Sequence, residues 1–420
     1  MKSDSKIINR EELKTILNNF FSLTLLKALT YLLPLITFPY LIRVLGVDKF
    51  GLVMFAQATM YYFEILVDFG FNLSATREVA LNAKNKSKLN EIISSVFSIK
   101  LVLLIISGLL LLLILSVFDR FSDESLIYYY SFLKVIAFAF FPVWFFQGIE
   151  KMKYVTIINI ISKVIFTILI FVFIQSETDY LLVPLVNGFG FMIGSLVALY
   201  YVFKRFNQSF VFNKFTIIKQ SFIDSSMFFL SRVSVSLYTS SNILMLGLVA
   251  SNVMVGYYAI AEKLYMVLRN LYQPIVQVIY PYISKSKNVK FFKKLYPVVV
   301  ILNFIGVYIL WVFTPELIYL VSKEHFVESI KVFRTLLIVA CIVVPSILIG
   351  YPFLAALGFK NEANYSTIIG SLFHVTILGV LYFINLINMY NIVYLLIATE
   401  SIVLLYRYYA VYKNKLFQIS

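Results

Sequence analysis

The chain has 420 residues, 61% hydrophobic and 14% charged, with a net charge of +15 and a mean hydropathy of +0.88. Soluble domains carry about 45–50% apolar and about 25% charged residues, so this composition excludes a soluble globular protein and, with it, a nucleic-acid partner for the positive charge. One cysteine, Cys341, and two well-separated histidines, His325 and His374, leave no disulfide framework and predict no metal site and no cofactor.

In chain order, residues 1–17 are a polar tail of mixed charge. No small-residue cleavage site follows the first apolar run, so the first helix is read as directing its own insertion. A span needs about 20 mostly apolar residues. Twelve stretches qualify: 18–44, 50–74, 92–118, 126–148, 154–175, 181–203, 222–249, 255–283, 295–321, 329–357, 364–386 and 389–411. With the N-terminus placed inside, the inner connections hold roughly 23 Lys and Arg against roughly 4 in the outer ones, which predicts both termini to be cytoplasmic. The outer connections, such as SETDY and SNVMV, are too short to hold a catalytic domain. The longest connection, about residues 204–221, mixes Phe, Ile and Lys and reads as an amphipathic segment on the inner surface. It divides a first half, 18–203, from a second, 222–411, followed by a tail, 412–420.

The halves share a pattern. Phe20-Phe21 and Phe228-Phe229 open their first spans, and GLVMFAQ (51–57) and GYYAIAE (256–262) open their second. Six spans per half is an even number, so both halves start from the inside. That parity predicts parallel repeats about an axis along the membrane normal, an arrangement found in transporters that work by alternating access.

Nine basic residues fall within spans: Lys27, Lys100, Lys134, Lys163, Arg232, Lys263, Arg269, Lys331 and Arg334. Such groups usually face a bundle interior or a wet cavity; otherwise they snorkel or pair with acids. Lys331 and Arg334 lie close to the outer face, where snorkelling suffices. Lys27, in FFSLTLLKALTYLLPLITFP (20–39), and Arg232 each lie about 15 Å from the inner end of the first span of their half, and Arg269 lies on the second span of the second half. Their sequence positions allow a shared anion site in a central cavity, or pairing with acids such as Glu64 and Asp68. Those two acids are four apart, on one helix face, and suit a coupling cation or a charge pair. Glu262 is a third acid of that kind. Lys100 and Lys163 have no evident partner in the sequence. Pro34 and Pro39 are candidates for bending the first helix. The surplus of ammonium and guanidinium groups favours an anionic substrate, and Arg matches phosphate geometry.

Several motifs then converge. LP (33–34) with PYLIRVLG (39–46), DFGFN (68–72) with SATR (74–77), PVWFFQGIEKM (142–152), GYYAIAEK (256–263), Gln273-Pro274 and Tyr280-Pro281 together resemble bacterial O-antigen and capsule flippases. These form the polysaccharide-transporter branch of the multidrug/oligosaccharidyl-lipid/polysaccharide exporter superfamily. The resemblance implies an all-α fold of two six-helix lobes around a central cavity, in the bacterial inner membrane. It implies a flippase, not an enzyme, that moves an undecaprenyl-diphosphate-linked oligosaccharide from the inner to the outer leaflet, coupled to a proton or sodium gradient. Membrane lipid and the polysaccharide polymerase machinery are the other expected partners. The diphosphate would then be the anion held by Lys27, Arg232 and Arg269. The aromatic stretch from Trp144 to Met152 reads first as an interface anchor. Two other readings remain at this stage: a multidrug exporter of the same superfamily, against which the cationic surplus argues, and a membrane polysaccharide polymerase or ligase, for which the outer connections are too short.

Overall fold

The computed structural model describes the backbone of residues 10–418, with side chains described for Leu33 and from Ile36 to Phe417 apart from Ser234, Tyr238 and Thr239. In the hydrocarbon core of a bilayer every backbone donor and acceptor must be satisfied within the protein, which leaves helices as the solution for apolar runs of this length. Among the described residues there is no strand. In chain order the helices are α1 (Arg10–Asp68), α2 (Phe71–Leu81), α3 (Lys86–Val117), α4 (Asp119–Ser122), α5 (Ser125–Ala139), α6 (Val143–Gly148), α7 (Met152–Phe173) and α8 (Leu182–Tyr200); then α9 (Phe215–Thr239), α10 (Asn242–Val249), α11 (Asn252–Asn270) and α12 (Gln273–Ser286); and last α13 (Val289–Val312), α14 (Thr314–Ser322), α15 (Val327–Ile349), α16 (Lys360–Phe383) and α17 (Met389–Lys413).

The ends of these helices follow local sequence. Gly46, at φ 65°, divides α1 into two arms, while Pro39 lies within continuous helix. Phe69 and Gly70, at φ 46° and 78°, end the second arm. Pro142 separates α5 from α6, and Asn85, Asn288 and Asn388 cap α3, α13 and α17 by accepting backbone N–H bonds. Nine helical stretches among the described residues are long and apolar enough to cross a membrane. The expected spans at 222–249 and 255–283 are each divided, after Thr239 and after Asn270. Their longer pieces, α9 and α11, carry Asp224 and Arg232, and Glu262, Lys263 and Arg269, so they are the less apolar ones.

The largest core cluster joins the second arm of α1 to α5, α11 and α15 through Phe50, Phe55, Tyr128, Tyr258 and Phe333. A second packs α2, α3 and α6 around Trp144, and a third packs α12, α13 and α17 around Phe292 and Phe353. Residues 207–214 contain no helix. They are pinned along α3: Ser209 N–H donates to Asn90 (2.8 Å), Val211 N–H to Ser94 (2.8 Å) and the Asn213 amide to Ser95 (2.7 Å). Phe210 and Phe212 point outward from this strap. Within the expected connection 204–221, the strap is extended over 207–214 and α9 begins at Phe215.

Candidate functional site

Glu64 and Asp68 sit one turn apart on the second arm of α1, and both are buried. Each finds a lysine on another helix of the first half. Asp68 Oδ1 lies 3.9 Å from Lys100 Nζ of α3, and Asn72 donates to the same oxygen at 2.7 Å. The Lys100 side chain is only 2% exposed, and its ammonium lies 5.6 Å from the centre of the Phe138 ring. Glu64 Oε1 lies 2.8 Å from Lys134 Nζ of α5. That is an ion-pair distance, although Glu64 Oε1 accepts no hydrogen bond of good angle, so the pair is held by charge more than by direction. Lys134 is the accessible member of the group, with 27% of its side chain exposed. The acids on α1 thus have the partners that sequence spacing did not disclose.

Arg232 approaches this row from α9. Phe222 and Phe229 stack on Phe69 with centroids at 4.4 and 4.7 Å, and the Ser225 and Ser74 hydroxyls meet at 2.7 Å. Gly70 is required at this contact twice over. Its φ is left-handed, and a Cβ there would fall 2.7 Å from Phe228 Cβ and from the Phe229 nitrogen. One turn beyond Phe229, Arg232 is exposed and interacts electrostatically with Asp68. The Lys27 and Pro34 side chains lie outside the described residues.

Arg269 belongs to a different chamber. A cavity of about 30 Å3 in the second half is lined by Asn242, Tyr258, Glu262, Tyr265, Arg269 and Glu400. Tyr258 donates to Glu262 at 3.2 Å. The space suits a single water or ion. Among the described residues, the structure therefore sets Arg232 within electrostatic reach of Asp68 and Arg269 beside Glu262 and Glu400, in separate surroundings.

The halves meet at the glycines of the shared motif. A Cβ on Gly51 would collide with the Asn252 carbonyl, and one on Gly256 with the Val47 carbonyl. Val47 is one turn before Gly51, and Asn252 is one turn before Gly256, so the contact is reciprocal. Nearby, Arg120 donates to the Gly247 carbonyl (2.7 Å) and to Asn252 Oδ1 (2.6 Å), and Arg43 Nε donates to the Val321 carbonyl (3.0 Å). These bonds tie the first half of the chain to the second.

Residues 16–287 match the family described as "Polysaccharide biosynthesis protein". The chain belongs to this family. It is 31% identical over 268 residues to a protein of Escherichia coli named "Putative O-antigen transporter", a match covering 64% of this chain and 65% of that relative. A Shigella dysenteriae protein of the same name is 31% identical over 282 residues, covering 66% and 69%. The chain thus spans a little under two thirds of the first relative's length. Among solved structures, the lipid II flippase MurJ in an inward closed conformation superimposes with a TM-score of 0.71 at 14% identity, over 94% of this chain and 89% of that one. An inward-facing multidrug transporter of the MATE family superimposes with a TM-score of 0.68 at 14% identity, over 92% and 96%. Those likenesses establish the fold.

In this member of the polysaccharide biosynthesis family, one identifying motif has another physical role than expected. Trp144, Phe145 and Phe146 are at most 1% exposed. They pack against Phe97, Tyr154 and Phe206 inside the second core cluster, so these three aromatics are a core plug rather than an interface anchor, while Gln147 and Glu150 to Met152 are exposed. The signal lay in the motif's density: three consecutive aromatics spread over about 200° of a helix circumference and cannot all face one interface.

Proposed function

We propose that this chain is a secondary transporter that flips an undecaprenyl-diphosphate-linked oligosaccharide, an O-antigen or capsule repeat unit, from the inner to the outer leaflet of the bacterial inner membrane. The observation that carries the reading is family membership, with relatives named as O-antigen transporters, on a fold shared with a lipid II flippase. Twelve spans in two six-helix lobes, with both termini cytoplasmic, form the frame. The reciprocal seating of Gly51 and Gly256 supports it, because an internal two-fold generates a self-complementary contact between equivalent residues. Lys27 and Arg232 hold the diphosphate, and Arg269 assists when the lobes rearrange. Glu262 with Glu400 is the candidate coupling-ion chamber, and the Glu64 and Asp68 pairs steady the first lobe. The polymerase machinery receives the flipped unit.

The test is genetic. Deleting the gene in its host should abolish surface polysaccharide and accumulate lipid-linked glycan on the cytoplasmic side. Reintroduced Lys27→Ala should fail to restore the polymer while remaining in the membrane, and Lys27→Arg should restore it in part. Normal surface polymer in the deletion strain would sink the assignment.

A further inference from the structure

A second pocket, of about 310 Å3, opens between α2, α3 and α9. It is separate from the chamber of Glu262 and from the α1 ion pairs. Its size is at the lower end of the range for small-ligand pockets. Three helix faces converge on it with polar groups at helical spacing: Ser74 and Glu78 from α2, Lys88 and Glu91 from α3, and Gln220, Ser221 and Asp224 from α9.

The chemistry of the lining selects a ligand class. Lys88 is bound to Glu91, and Gln220 donates to Asp224 Oδ1 at 2.8 Å, so the lining's cation and one amide donor are already engaged. The Glu78 carboxylate at the pocket's edge is exposed. What the pocket offers is a surplus of acceptor oxygens, which repels phosphate and suits a ligand rich in O–H or N–H donors. No group of acids among the described residues converges as a metal site would.

Its position supplies the second argument. Ser225, in the pocket wall, and Arg232 lie on one face of α9, seven residues and about 10 Å apart. We propose that this pocket receives the leading sugar of the lipid-linked substrate, a neutral or amine-bearing residue, while Arg232 engages the diphosphate beside it. The assignment rests on the flippase reading above. It makes the α2–α3–α9 pocket the place where the glycan is read, and Arg232 the place where the diphosphate, common to all such substrates, is held.

The experiment uses the full-length protein in lipid nanodiscs and native mass spectrometry. Two probes are titrated: synthetic undecaprenyl diphosphate, and the pooled lipid-linked glycans extracted from the native host. Wild type should bind the glycan-bearing lipids at least tenfold more tightly than the bare lipid. Ser221→Trp, which fills the pocket, and the milder pair Glu78→Gln with Asp224→Asn should each erase that preference and leave bare-lipid affinity unchanged. Arg232→Ala should weaken both probes alike. If Ser221→Trp fails to fold, the milder pair decides. An undiminished glycan preference in that pair overturns the pocket assignment and leaves the flippase reading standing. Binding of neither probe by wild type overturns the flippase reading and the pocket with it.

Discussion

Replacing Lys100 with Met tests whether the charges inside the first half form a matched set. The substitution keeps an unbranched side chain of similar length and removes the ammonium. Asp68 is then left with a carboxylate whose side chain is 8% exposed. Breaking a buried pair from one side costs about 3–5 kcal/mol, since the remaining charge stays desolvated. Here Asn72 still donates to Asp68 at 2.7 Å and Arg232 still acts on it, which places the expected loss near the lower end, about 3 kcal/mol. At about 1.4 kcal/mol per tenfold, that is roughly a hundredfold shift toward the unfolded state at fixed denaturant. The assay is reversible unfolding of the purified protein in detergent micelles. The informative companion is Lys100→Met combined with Asp68→Asn, which removes both charges and should recover most of the loss, because neutralising a whole buried pair is close to neutral. A single variant as stable as wild type, or a double variant no better than the single one, would refute the buried-pair account.

Three further outcomes follow from other sites. Gly51→Val should destabilise the protein by about 1–3 kcal/mol, the range for overpacking, because the colliding group is the Asn252 backbone and cannot rotate away; an unchanged unfolding midpoint would show that the helices separate freely there. Burial pushes the Glu124 carboxyl up, but hydrogen bonds from Tyr180 (2.6 Å) and Lys49 (2.9 Å) outweigh it and hold the group below the usual glutamate range. A depressed folded value stabilises above the unfolded value and is lost as pH falls, so the advantage of wild type over Glu124→Gln, about 0.2–1 kcal/mol for so accessible a pair, should be present at pH 7 and fade as the pH drops below the ordinary glutamate value. A gap that instead widened in acid would contradict that ordering. Arg232→Ala should lower surface polysaccharide in the host without lowering the amount of protein in the membrane, and full polymer levels would remove Arg232 from the substrate path.

The helical class was legible, as were apolar runs behind the nine candidate spans among the described residues, because hydrophobic runs are local quantities. The GLVMFAQ and GYYAIAE motifs were legible too, and they carry the two glycines that seat against each other. Ion-pair partners were not. Glu64 and Asp68 share a helix face in any reading, but whether Lys27, Lys100 or Lys134 answers them depends on which helices pack beside α1, and spacing in the chain does not encode that. Lys27 and Arg232 looked equivalent by depth, with Arg269 a third candidate, yet Arg232 interacts electrostatically with Asp68 and Arg269 shares a chamber with Glu262 and Glu400. Breaks at Ser240-Ser241 and Leu271-Tyr272 were hidden because apolar residues continue on both sides. The α2–α3–α9 pocket was equally invisible, since its three faces come from segments that look like ordinary helix ends.

The most direct measurement is transport itself, in proteoliposomes loaded with the host's own lipid-linked glycan carrying a fluorescent label. Protein-dependent movement of the labelled lipid between leaflets, monitored by a membrane-impermeant quencher under separately imposed pH and sodium gradients, is the predicted result, and Lys27→Ala should abolish it. Leaflet exchange no faster than in protein-free vesicles under either gradient, with folded protein present, would contradict the account.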